Sequence, residues 1–327
     1  MNNSLPRQSA CATECSPLDA FIGESAAMRS LRASLERIAR SDCNVLITGE
    51  TGTGKECVAW GIHRLSRRAA ARMVCINCAA LPDALLESEL FGHVKGAFTG
   101  ASANYCGKIM LAGGGTLFLD EIGDMSPASQ AKILRVIETR EVFPVGATRS
   151  TQVDLRVIAA THHGLEHEVQ ESRFRADLFY RLNVARVDLP PLRERREDIP
   201  LLLAHFAREL QPPEARRPLR LAPQAMAALT AYDWPGNCRE LRNFVEVAYI
   251  HATEGFVAVS DLPDVISGAG AGAPSDAERT RIVSALVQCE WNRSEAARHL
   301  RWSRMTLYRK MKRYAITPVP PSAARRG

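Results

Sequence analysis

The chain has 327 residues, of which 46% are hydrophobic and 24% are charged, so it can bury apolar cores and is neither a disordered chain nor a collagen-like or coiled-coil array. At roughly 100–200 residues per domain, this length predicts two or three domains. The formal net charge of +6 indicates a partner only if it is concentrated in one segment.

The positive charge is concentrated at the C-terminal end. From residue 290 onward ten Arg and Lys residues face two Glu residues, a net charge of +8, whereas the first 289 residues sum to −2. A nearly neutral body with a basic terminal segment is typical of a protein that contacts nucleic acid. On charge alone, a solvated basic tail is an equally good interpretation.

The cysteine content and the N-terminal segment indicate a compartment. The nine cysteines are an odd number scattered along the chain, and residues 1–17 contain no apolar stretch of the kind that secretion signals have. These features predict a reducing, cytoplasmic location. No apolar run approaches the roughly 20 residues that a membrane-spanning helix needs.

Between about residues 21 and 189, short apolar segments alternate with amphipathic segments of helix length. The apolar segments 44–48, 73–76, 115–119 and 155–160 are predicted to be buried strands. This alternation predicts an α/β fold with a parallel sheet covered by helices. Beyond residue 191 only helical patterns follow, at 198–210, 223–232 and 239–252, which predict a small all-helical subdomain.

The segment 267–275, SGAGAGAPS, is predicted to be a flexible linker because it has no bulky side chains to pack. Helical patterns follow at 276–289, 294–300 and 303–314, and the last two are separated only by Arg301 and Trp302. Two short helices joined by a tight turn, with basic residues on the second, predict a DNA-binding helix-turn-helix.

A predicted phosphate-binding loop follows the first strand. In a P-loop, glycines turn backbone N–H groups toward phosphate oxygens, and a lysine at the start of the next helix reaches the β- and γ-phosphates. Glu56 departs from the usual pattern, because Ser or Thr normally offers a hydroxyl to Mg²⁺ there. The predicted cofactor-binding residues of this loop are Gly49, Glu50, Thr51, Gly52, Thr53, Gly54, Lys55 and Glu56.

Two carboxylates, Asp120 and Glu121, follow the strand predicted at 115–119. A strand that ends beside the phosphates would let Asp120 hold Mg²⁺ and Glu121 orient or deprotonate the attacking water. An acidic pair after a strand is otherwise usually a solvated turn. Together with the P-loop upstream, the pair is interpreted as a Walker B motif.

Between these two motifs lies a hexapeptide, GAFTGA, preceded by ELFGH at 89–93. It resembles the bacterial enhancer-binding proteins, AAA+ activators that remodel RNA polymerase carrying sigma-54. The resemblance implies ATP and Mg²⁺ as cofactors and a surface loop that contacts sigma-54; the alternative is an incidental glycine-rich loop. The implied contact residues are Gly96, Ala97, Phe98, Thr99, Gly100 and Ala101.

The resemblance extends over about residues 21–316 and implies further catalytic roles. Asn77 is similar to the switch asparagine that bonds the Walker B glutamate, although a strand-end Asn capping the next turn is the simpler reading. Arg175 and Arg181 match the arginine fingers that reach ATP held by a neighbouring subunit. Arg239 matches the sensor arginine of the helical lid, where a helix-cap role is the alternative.

The resemblance also implies contacts at the sheet edge and at the base. Thr161 falls at the first sensor position, but His162 replaces the Asn that the family frequently has next to it. A neutral histidine still donates or accepts one hydrogen bond, so the site is expected to survive this change. Ile22 and Gly23 resemble the backbone contact on the adenine side of the nucleotide.

The C-terminal segment resembles the Fis-type helix-turn-helix, whose Arg side chains contact phosphates or guanine edges. Arg301 and Trp302 replace a Gly and an apolar residue in the turn, which predicts a strained turn because a left-handed Arg costs about 1 kcal/mol. Ile282, Leu286 and Cys289 form an apolar stripe that suits a dimer contact and core packing equally. The implied DNA-binding residues are Asn292, Ser294, Ser303, Arg304, Thr306 and Arg309.

The predicted organisation is a tail (1–17), an AAA+ α/β subdomain (18–190), a helical lid (191–266), a linker (267–276), a Fis-type domain (277–317) and a tail (318–327). The 17 residues before the AAA+ pattern are too few for a sensor domain. The chain therefore resembles the short activators of the phage-shock and Hrp types, which are controlled by a separate regulatory protein or by expression. The implied partners are sigma-54 RNA polymerase holoenzyme, enhancer DNA and further copies of the chain in a hexameric ring.

Two other functions are compatible with parts of the sequence. A DNA-binding repressor or co-regulator could keep the ATPase fold without acting on sigma-54, but the intact GAFTGA and Walker B motifs count against it. A different AAA+ machine, such as a chaperone or helicase loader, would not explain GAFTGA together with the Fis-like segment.

Overall fold

A computed structural model describes residues 22–213, 219–251, 256–263, 266, 276–289 and 291–300, together with Leu307, Met311, Tyr314 and Ile316. The chain forms two compact units, one made of residues up to 222 with 230–257, and the other of residues 223–229 with those from 258 onward. Each unit is described by itself below.

The helices are α1 (Ala26–Arg40), α2 (Lys55–Arg64), α3 (Asp83–Phe91), α4 (Lys108–Leu111), α5 (Pro127–Thr139), α6 (Leu165–Gln170), α7 (Ala176–Leu182), α8 (Ile199–Glu209), α9 (Pro223–Ala231), α10 (Asn237–His251), α11 (Asp276–Gln288) and α12 (Arg293–His299). Short 3₁₀ turns cover Ile122–Asp124, Leu192–Glu194, Arg196–Asp198 and Val259–Asp261.

The strands are β1 (Val45–Thr48), β2 (Met73–Asn77), β3 (Gly92–His93), β4 (Tyr105–Cys106), β5 (Thr116–Asp120), β6 (Glu141–Val142), β7 (Thr151–Gln152), β8 (Arg156–Thr161), β9 (Ala185–Asp188), β10 (Arg220–Leu221) and β11 (Phe256–Val257).

A five-stranded sheet in the order β2-β5-β8-β1-β9 is the centre of the larger unit, and all its pairs are parallel. Alternate side chains of its strands enter two different cores. Leu46, Leu117 and Val157 pack on one face with helices such as α3 and α5, whereas Ile47 and Ile158 pack on the other with α1 and α2. The central strands β1, β5 and β8 are mostly apolar because both of their faces are covered.

The predicted α/β class is confirmed, and each of the four predicted strands is present. Three of them, β2, β5 and β8, run one residue further than their apolar segments and end in polar residues. The fifth strand, β9, was not predicted. Its sequence Ala-Arg-Val-Asp buries only Val187, because it lies at the edge of the sheet, and it therefore lacks the apolar run that marks a central strand.

The smaller unit contains a compact helical core. Ile282 and Leu286 of α11 are fully buried against Ala296 and Leu300, and Cys289 packs against the same cluster. The stripe of Ile282, Leu286 and Cys289 therefore packs in the core of this unit, which was one of its two predicted roles, and does not form the surface that a dimer contact would need. Of the third predicted helix, 303–314, only Leu307, Met311 and Tyr314 are described, and all three are buried in this core.

Arg156 anchors the start of the central strand β8. Its guanidinium is fully buried and donates to the carbonyl oxygens of Cys43, Ala39 and Ile38 at 3.1, 3.2 and 2.9 Å. These carbonyls lie at and just beyond the C-terminal end of α1, where the last carbonyls have no N–H donor in a following turn of the helix; that of Ile38 also accepts the N–H of Ser41 at 3.2 Å. The arginine therefore ties α1 to the strand that ends in Thr161.

We expect Arg156→Met to lower the free energy of unfolding by about 3 kcal/mol, because one buried and two partly buried carbonyls lose charge-assisted hydrogen bonds that methionine cannot replace. Urea denaturation followed by tryptophan fluorescence measures this change. Arg149→Met, at an exposed position, is the matched control and should stay within about 0.5 kcal/mol of the parent. Equal midpoints for the two variants would show that the Arg156 contacts do not contribute.

Candidate nucleotide-binding and hydrolysis site

The glycine-rich loop lies between β1 and α2 at the carboxyl edge of the sheet. Lys55, the first residue of α2, is only 6% exposed, and its Nζ donates to the carbonyl of Gly49 at 3.0 Å. Thr53 is buried and its hydroxyl donates to the carbonyl of Glu50 at 2.8 Å. The loop is thus folded around the lysine, with the N-terminus of α2 directed to the same place.

The predicted metal-holding carboxylate, Asp120, is the last residue of β5. Asn77 ends the adjacent strand β2 in register with it, and its Nδ2 donates to Asp120 Oδ2 at 3.0 Å. Partial burial raises the pKa of Asp120, and the neighbouring charge of Glu121 raises it further. A cation placed beside these two carboxylates would relieve their repulsion.

Glu121 has a left-handed backbone conformation, with φ of 52°. Its carboxylate lies between the start of α2 and the residue that follows β8. Oε1 is 3.3 Å from Lys55 Nζ, and Oε2 lies 2.6 Å from His162 Nδ1 and accepts the backbone N–H of His162 at 3.1 Å. Burial opposes ionisation of Glu121, but the His162 hydrogen bonds and the Lys55 charge outweigh it and lower the pKa of Glu121. The carboxylate is therefore ionised and can accept a proton.

The expected hydrogen bond between Asn77 and Glu121 is not formed. Asn77 bonds Asp120 instead, because these two residues are register partners at the ends of β2 and β5. Glu121 comes one residue later, and its left-handed backbone places its carboxylate against His162, which follows β8. His162, which the sequence marked only as a departure from the family pattern, thus contacts Glu121 together with Lys55.

Thr161, the predicted sensor residue, is fully buried at the end of β8. Its carbonyl accepts the N–H of Gly49 at 3.3 Å, and its hydroxyl accepts the N–H of His163 at 3.0 Å. The residue therefore joins the first glycine of the phosphate loop to the histidine pair beside Glu121.

The start of α10 packs directly on the phosphate loop. A Cβ added to Gly52 would lie 2.2 Å from the carbonyl oxygen of Gly236 and 3.1 Å from Cβ of Arg239, the predicted lid sensor. Asn237 donates to Glu50 Oε2 and to the carbonyl of Thr51, both at 3.1 Å. Arg239 is exposed and is held beside the loop by these backbone contacts.

Two arginines that sequence reasoning missed also hold the loop. Arg193 forms a bidentate pair with Glu50 at 2.9 and 2.6 Å, and the buried Arg195 donates to the carbonyl of Thr53 at 3.1 Å. Both belong to the arginine-rich segment that follows Pro190 and Pro191. This cluster of arginines is the sequence signal that could have identified them. Close by, Asp198 accepts the N–H groups of Glu24 and Ser25 at 2.6 and 2.9 Å.

The predicted adenine-side pair lies at this same junction. Gly23 is buried, and a Cβ added there would lie 2.6 Å from Asp198 Oδ2, while Ile22 is half-buried. The structure thus places both residues beside the segment that carries Arg195.

The predicted arginine fingers lie away from this cluster. Arg175 is exposed and pairs with Asp177 at 2.7 Å, and Arg181 is exposed and pairs with Glu138 at 2.9 Å. All the ion pairs described for these two guanidinium groups are with those surface carboxylates. Tyr180, between them, is 74% exposed. The face that carries both arginines is therefore open.

The GAFTGA segment forms the tip of the β3–β4 hairpin. Gly96 donates to the carbonyl of Ala101 at 2.9 Å, and Ala101 donates back to that of Phe98 at 3.0 Å, so the tip is closed by its own hydrogen bonds. Phe98 is 43% exposed and makes an edge contact with the ring of His93 at 4.9 Å. Thr99 is exposed.

Of the predicted DNA-binding residues, the structure describes the side chain of Asn292. Asn292 precedes α12, and its Oδ1 accepts the N–H of Glu295 at 3.4 Å. The side chain of Ser294, and Ser303, Arg304, Thr306 and Arg309, lie outside the described residues. The turn formed by Arg301 and Trp302 lies outside them as well.

Three family models match consecutive parts of the chain: the sigma-54 interaction domain over residues 21–188, the AAA+ ATPase lid domain over 193–279, and the bacterial regulatory protein, Fis family, over 273–314. The chain belongs to the sigma-54-dependent transcriptional activators. It is a member of an ATP-hydrolysing AAA+ family with a Fis-type DNA-binding domain. The family membership that GAFTGA predicted is confirmed.

Relatives of this activator cover most of its length. It is 48% identical over 303 residues to the transcriptional regulatory protein ZraR of Klebsiella oxytoca. The matched region covers 90% of this chain and 68% of ZraR. It is 44% identical over 333 residues to the DNA-binding transcriptional regulator NtrC of Escherichia coli K12, covering 90% and 70%.

Crystal structures of NtrX from Brucella abortus resemble this activator. The structures with ADP and with ATP each have a TM-score of 0.72 and 35% identity, and each covers 90% of this chain and 70% or 69% of that one. In the described part of the activator, none of the helices is both long and apolar enough to cross a membrane.

We expect Gly52→Ala to weaken ATP binding at least tenfold, or about 1.4 kcal/mol. The added methyl would collide with the Gly236 carbonyl, and the left-handed φ of 81° strains alanine further. Titration with a fluorescent ATP analogue measures the affinity. Gly164→Ala, where a Cβ meets nothing within 4 Å, is the control and should bind like the parent. Equal affinities would show that the lid contact at Gly52 does not shape the site.

Proposed function

We propose that this activator binds enhancer DNA, assembles into a ring, and uses ATP hydrolysis at subunit interfaces to remodel the closed complex of sigma-54 RNA polymerase. The observation that carries the proposal is the 3.3 Å contact between Lys55 and Glu121. It brings the phosphate loop and the strand-end carboxylates into one cluster, beside which Asn77, Thr161 and Arg239 lie.

In the proposed reaction, Glu121 accepts a proton from water as the water oxygen attacks the γ-phosphorus. The bond from that phosphorus to the β-phosphate oxygen breaks, and ADP and phosphate leave. The ionised state of Glu121, supported by His162 and Lys55, suits a proton acceptor. Lys55 and the N–H groups of the loop bind the phosphate oxygens.

The strand-end carboxylates suit a magnesium ion. Asp120 is half-buried, its pKa is raised by burial and by Glu121, and carboxylate oxygens are the ligands that Mg²⁺ prefers. The exposed Glu56 cannot offer the usual hydroxyl, so Asp120 would hold the ion. When bound, Mg²⁺ neutralises charge on the β- and γ-phosphates.

Arg175 and Arg181 would act on ATP bound by a neighbouring subunit. Both are exposed and pair only with surface carboxylates in the described chain. Exposed ion pairs contribute about 0–1 kcal/mol, so phosphate oxygens across an interface can displace Asp177 and Glu138 readily. This arrangement requires an oligomer, and the proposed assembly is a hexameric ring built from dimers.

Coupling to sigma-54 would pass from Asn77 through α3 to the GAFTGA tip. Asn77 contacts Asp120, and its side-chain oxygen accepts the N–H of Ala79 at 2.9 Å in the segment before α3. Leu86 and Leu90 bury α3 in the core, and the helix ends at the β3–β4 hairpin. Since a packed helix moves as a unit, a change at Asn77 would shift the tip that carries Phe98 and Thr99.

Binding of enhancer DNA is proposed for Asn292, Ser294, Ser303, Arg304, Thr306 and Arg309. The concentration of positive charge from residue 290 onward supports this assignment, because neutralisation of phosphates supplies much of the affinity for DNA. Control by a separate regulatory protein, as in phage-shock and Hrp-type activators, stays a prediction.

Glu121→Gln should retain ATP binding and lower the rate of hydrolysis about 10²–10⁴-fold, because glutamine cannot accept the proton. Phosphate release and nucleotide affinity are measured on the same preparation. Glu171→Gln, at an exposed position, is the control and should hydrolyse ATP at the parental rate. Parental turnover by Glu121→Gln would remove Glu121 as the proton acceptor.

Thr99→Ala should abolish opening of a sigma-54 promoter while leaving ATP hydrolysis within about twofold, since Thr99 lies in the exposed tip and not in the nucleotide cluster. Permanganate footprinting of the promoter and phosphate release give the two readouts. Ser102→Ala, exposed just beyond the hexapeptide, is the matched control. Normal promoter opening by Thr99→Ala would show that Thr99 is not needed for remodelling, whereas a parent protein that opens no sigma-54 promoter would favour the repressor or co-regulator alternative.

A further inference from the structure

Two adjacent histidines and an aspartate lie together beside Glu121. His162 and His163 follow β8, and their rings are 4.1 Å apart. Asp124 is the last residue of the Ile122–Asp124 turn that follows Glu121. Each of the three residues offers one ligand atom, and these atoms all lie within 4.8 Å of one another.

The backbone around the histidines is fixed by hydrogen bonds. The N–H of His162 donates to Glu121 Oε2 at 3.1 Å, and the N–H of His163 donates to Thr161 Oγ1 at 3.0 Å. Gly123 leaves the room that His163 occupies, because a Cβ there would lie 2.9 Å from His163 Cδ2. The backbone therefore places the two imidazoles side by side before any ligand binds.

We propose that His162, His163 and Asp124 form a transition-metal site, of the kind that binds Zn²⁺, and that the bound metal inhibits ATP hydrolysis. Two imidazole nitrogens and one carboxylate oxygen leave the fourth position of a tetrahedral ion open to water. At zinc–ligand distances of about 2.0–2.2 Å, tetrahedral ligand atoms are about 3.4 Å apart. His163 Nε2 and Asp124 Oδ1 already lie 3.1 Å apart.

His162 completes the site with a small movement of an exposed ring. Its side chain is 40% exposed, so rotation about its side-chain bonds is not blocked by packing. Mg²⁺ does not compete for these ligands, because it prefers oxygen atoms in octahedral geometry, whereas imidazole suits Zn²⁺, Cu²⁺ and Ni²⁺. The site therefore discriminates between the metal that accompanies ATP and a transition metal.

Metal binding would act on Glu121 through His162. If Nε2 of His162 binds the metal, its Nδ1 is fixed as a donor, and the bond to Glu121 Oε2 strengthens in the manner of carboxylate–histidine–metal arrangements. If Nδ1 binds the metal, Glu121 loses that hydrogen bond and its orientation. Hydrolysis slows in the first case because a carboxylate stabilised by the stronger bond is a weaker proton acceptor, and in the second because Glu121 is no longer oriented. The inhibition, unlike the metal site itself, rests on the proposed role of Glu121.

The test uses the full chain with Zn²⁺ alone and Co²⁺ alone as probes. Because thiolates also bind these metals and the chain has nine cysteines, Co²⁺ absorption is used to separate the ligand types: nitrogen and oxygen ligands give visible d–d bands without thiolate charge-transfer bands. His163→Gln and Asp124→Asn each remove one ligand. His167→Gln, an exposed histidine on the following helix α6, is the matched control.

We expect Zn²⁺ to inhibit ATP turnover of the parent and of His167→Gln at the same concentration. Since loss of even an outer-shell partner costs roughly 10–100-fold in metal affinity, His163→Gln and Asp124→Asn should raise the half-inhibitory Zn²⁺ concentration at least tenfold and lose the nitrogen–oxygen Co²⁺ band. Without Zn²⁺ both should hydrolyse ATP normally.

Two results would overturn parts of the proposal separately. A Co²⁺ spectrum and Zn²⁺ stoichiometry that are identical in the parent, His163→Gln and Asp124→Asn would overturn the metal site. A metal band that disappears in both variants while Zn²⁺ leaves parental turnover unchanged would support the site and overturn the inhibition. The metal-free rate of Glu121→Gln tests the proton acceptor independently of either result.

Discussion

Parallel pairing in register brings the site together. β2 and β5 pair so that Asn77 lies opposite Asp120, and β1 and β8 pair so that Thr48 lies opposite Thr161. The phosphate loop, Asp120, Thr161 and Asn77 are therefore all at or next to the last residue of a strand. A slip of one residue in any of these pairs would turn an apolar side chain toward the nucleotide and bury a polar one.

The same pairing explains which parts of the fold and of the site could be predicted from sequence. The central strands are apolar because they are buried on both faces, and such runs are easy to detect. The apolar run stops one residue before Asn77, Asp120 or Thr161, so the strands end later than the pattern indicates. β9 was missed for the opposite reason: at the edge, only Val187 is buried. Motif spacing found the phosphate loop and the acidic pair because both depend on local chain geometry.

Side-chain partners were harder to predict, because they depend on geometry across the sheet. Asn77 was expected to bond Glu121, yet register gives it Asp120, and the left-handed backbone at Glu121 directs that carboxylate to His162. Neither fact has a sequence signature. A histidine beside Glu121 also differs chemically from an asparagine, because one imidazole has two ring nitrogens and can bond a carboxylate with one while the other faces solvent or an ion.

The contact between the lid and the phosphate loop depends more on Asn237 than on Arg193. Both bond Glu50, but the Arg193–Glu50 pair is exposed on both sides, at 39% and 41%, and such pairs contribute about 0–1 kcal/mol. Asn237 is fully buried and also accepts the N–H of Leu192 at 2.7 Å. Leu192 is fully buried, so leaving its N–H unsatisfied would cost about 1–3 kcal/mol. The left-handed φ of 52° at Asn237 is one that asparagine tolerates, and its one buried side chain links the start of α10 to Glu50, Thr51 and Leu192.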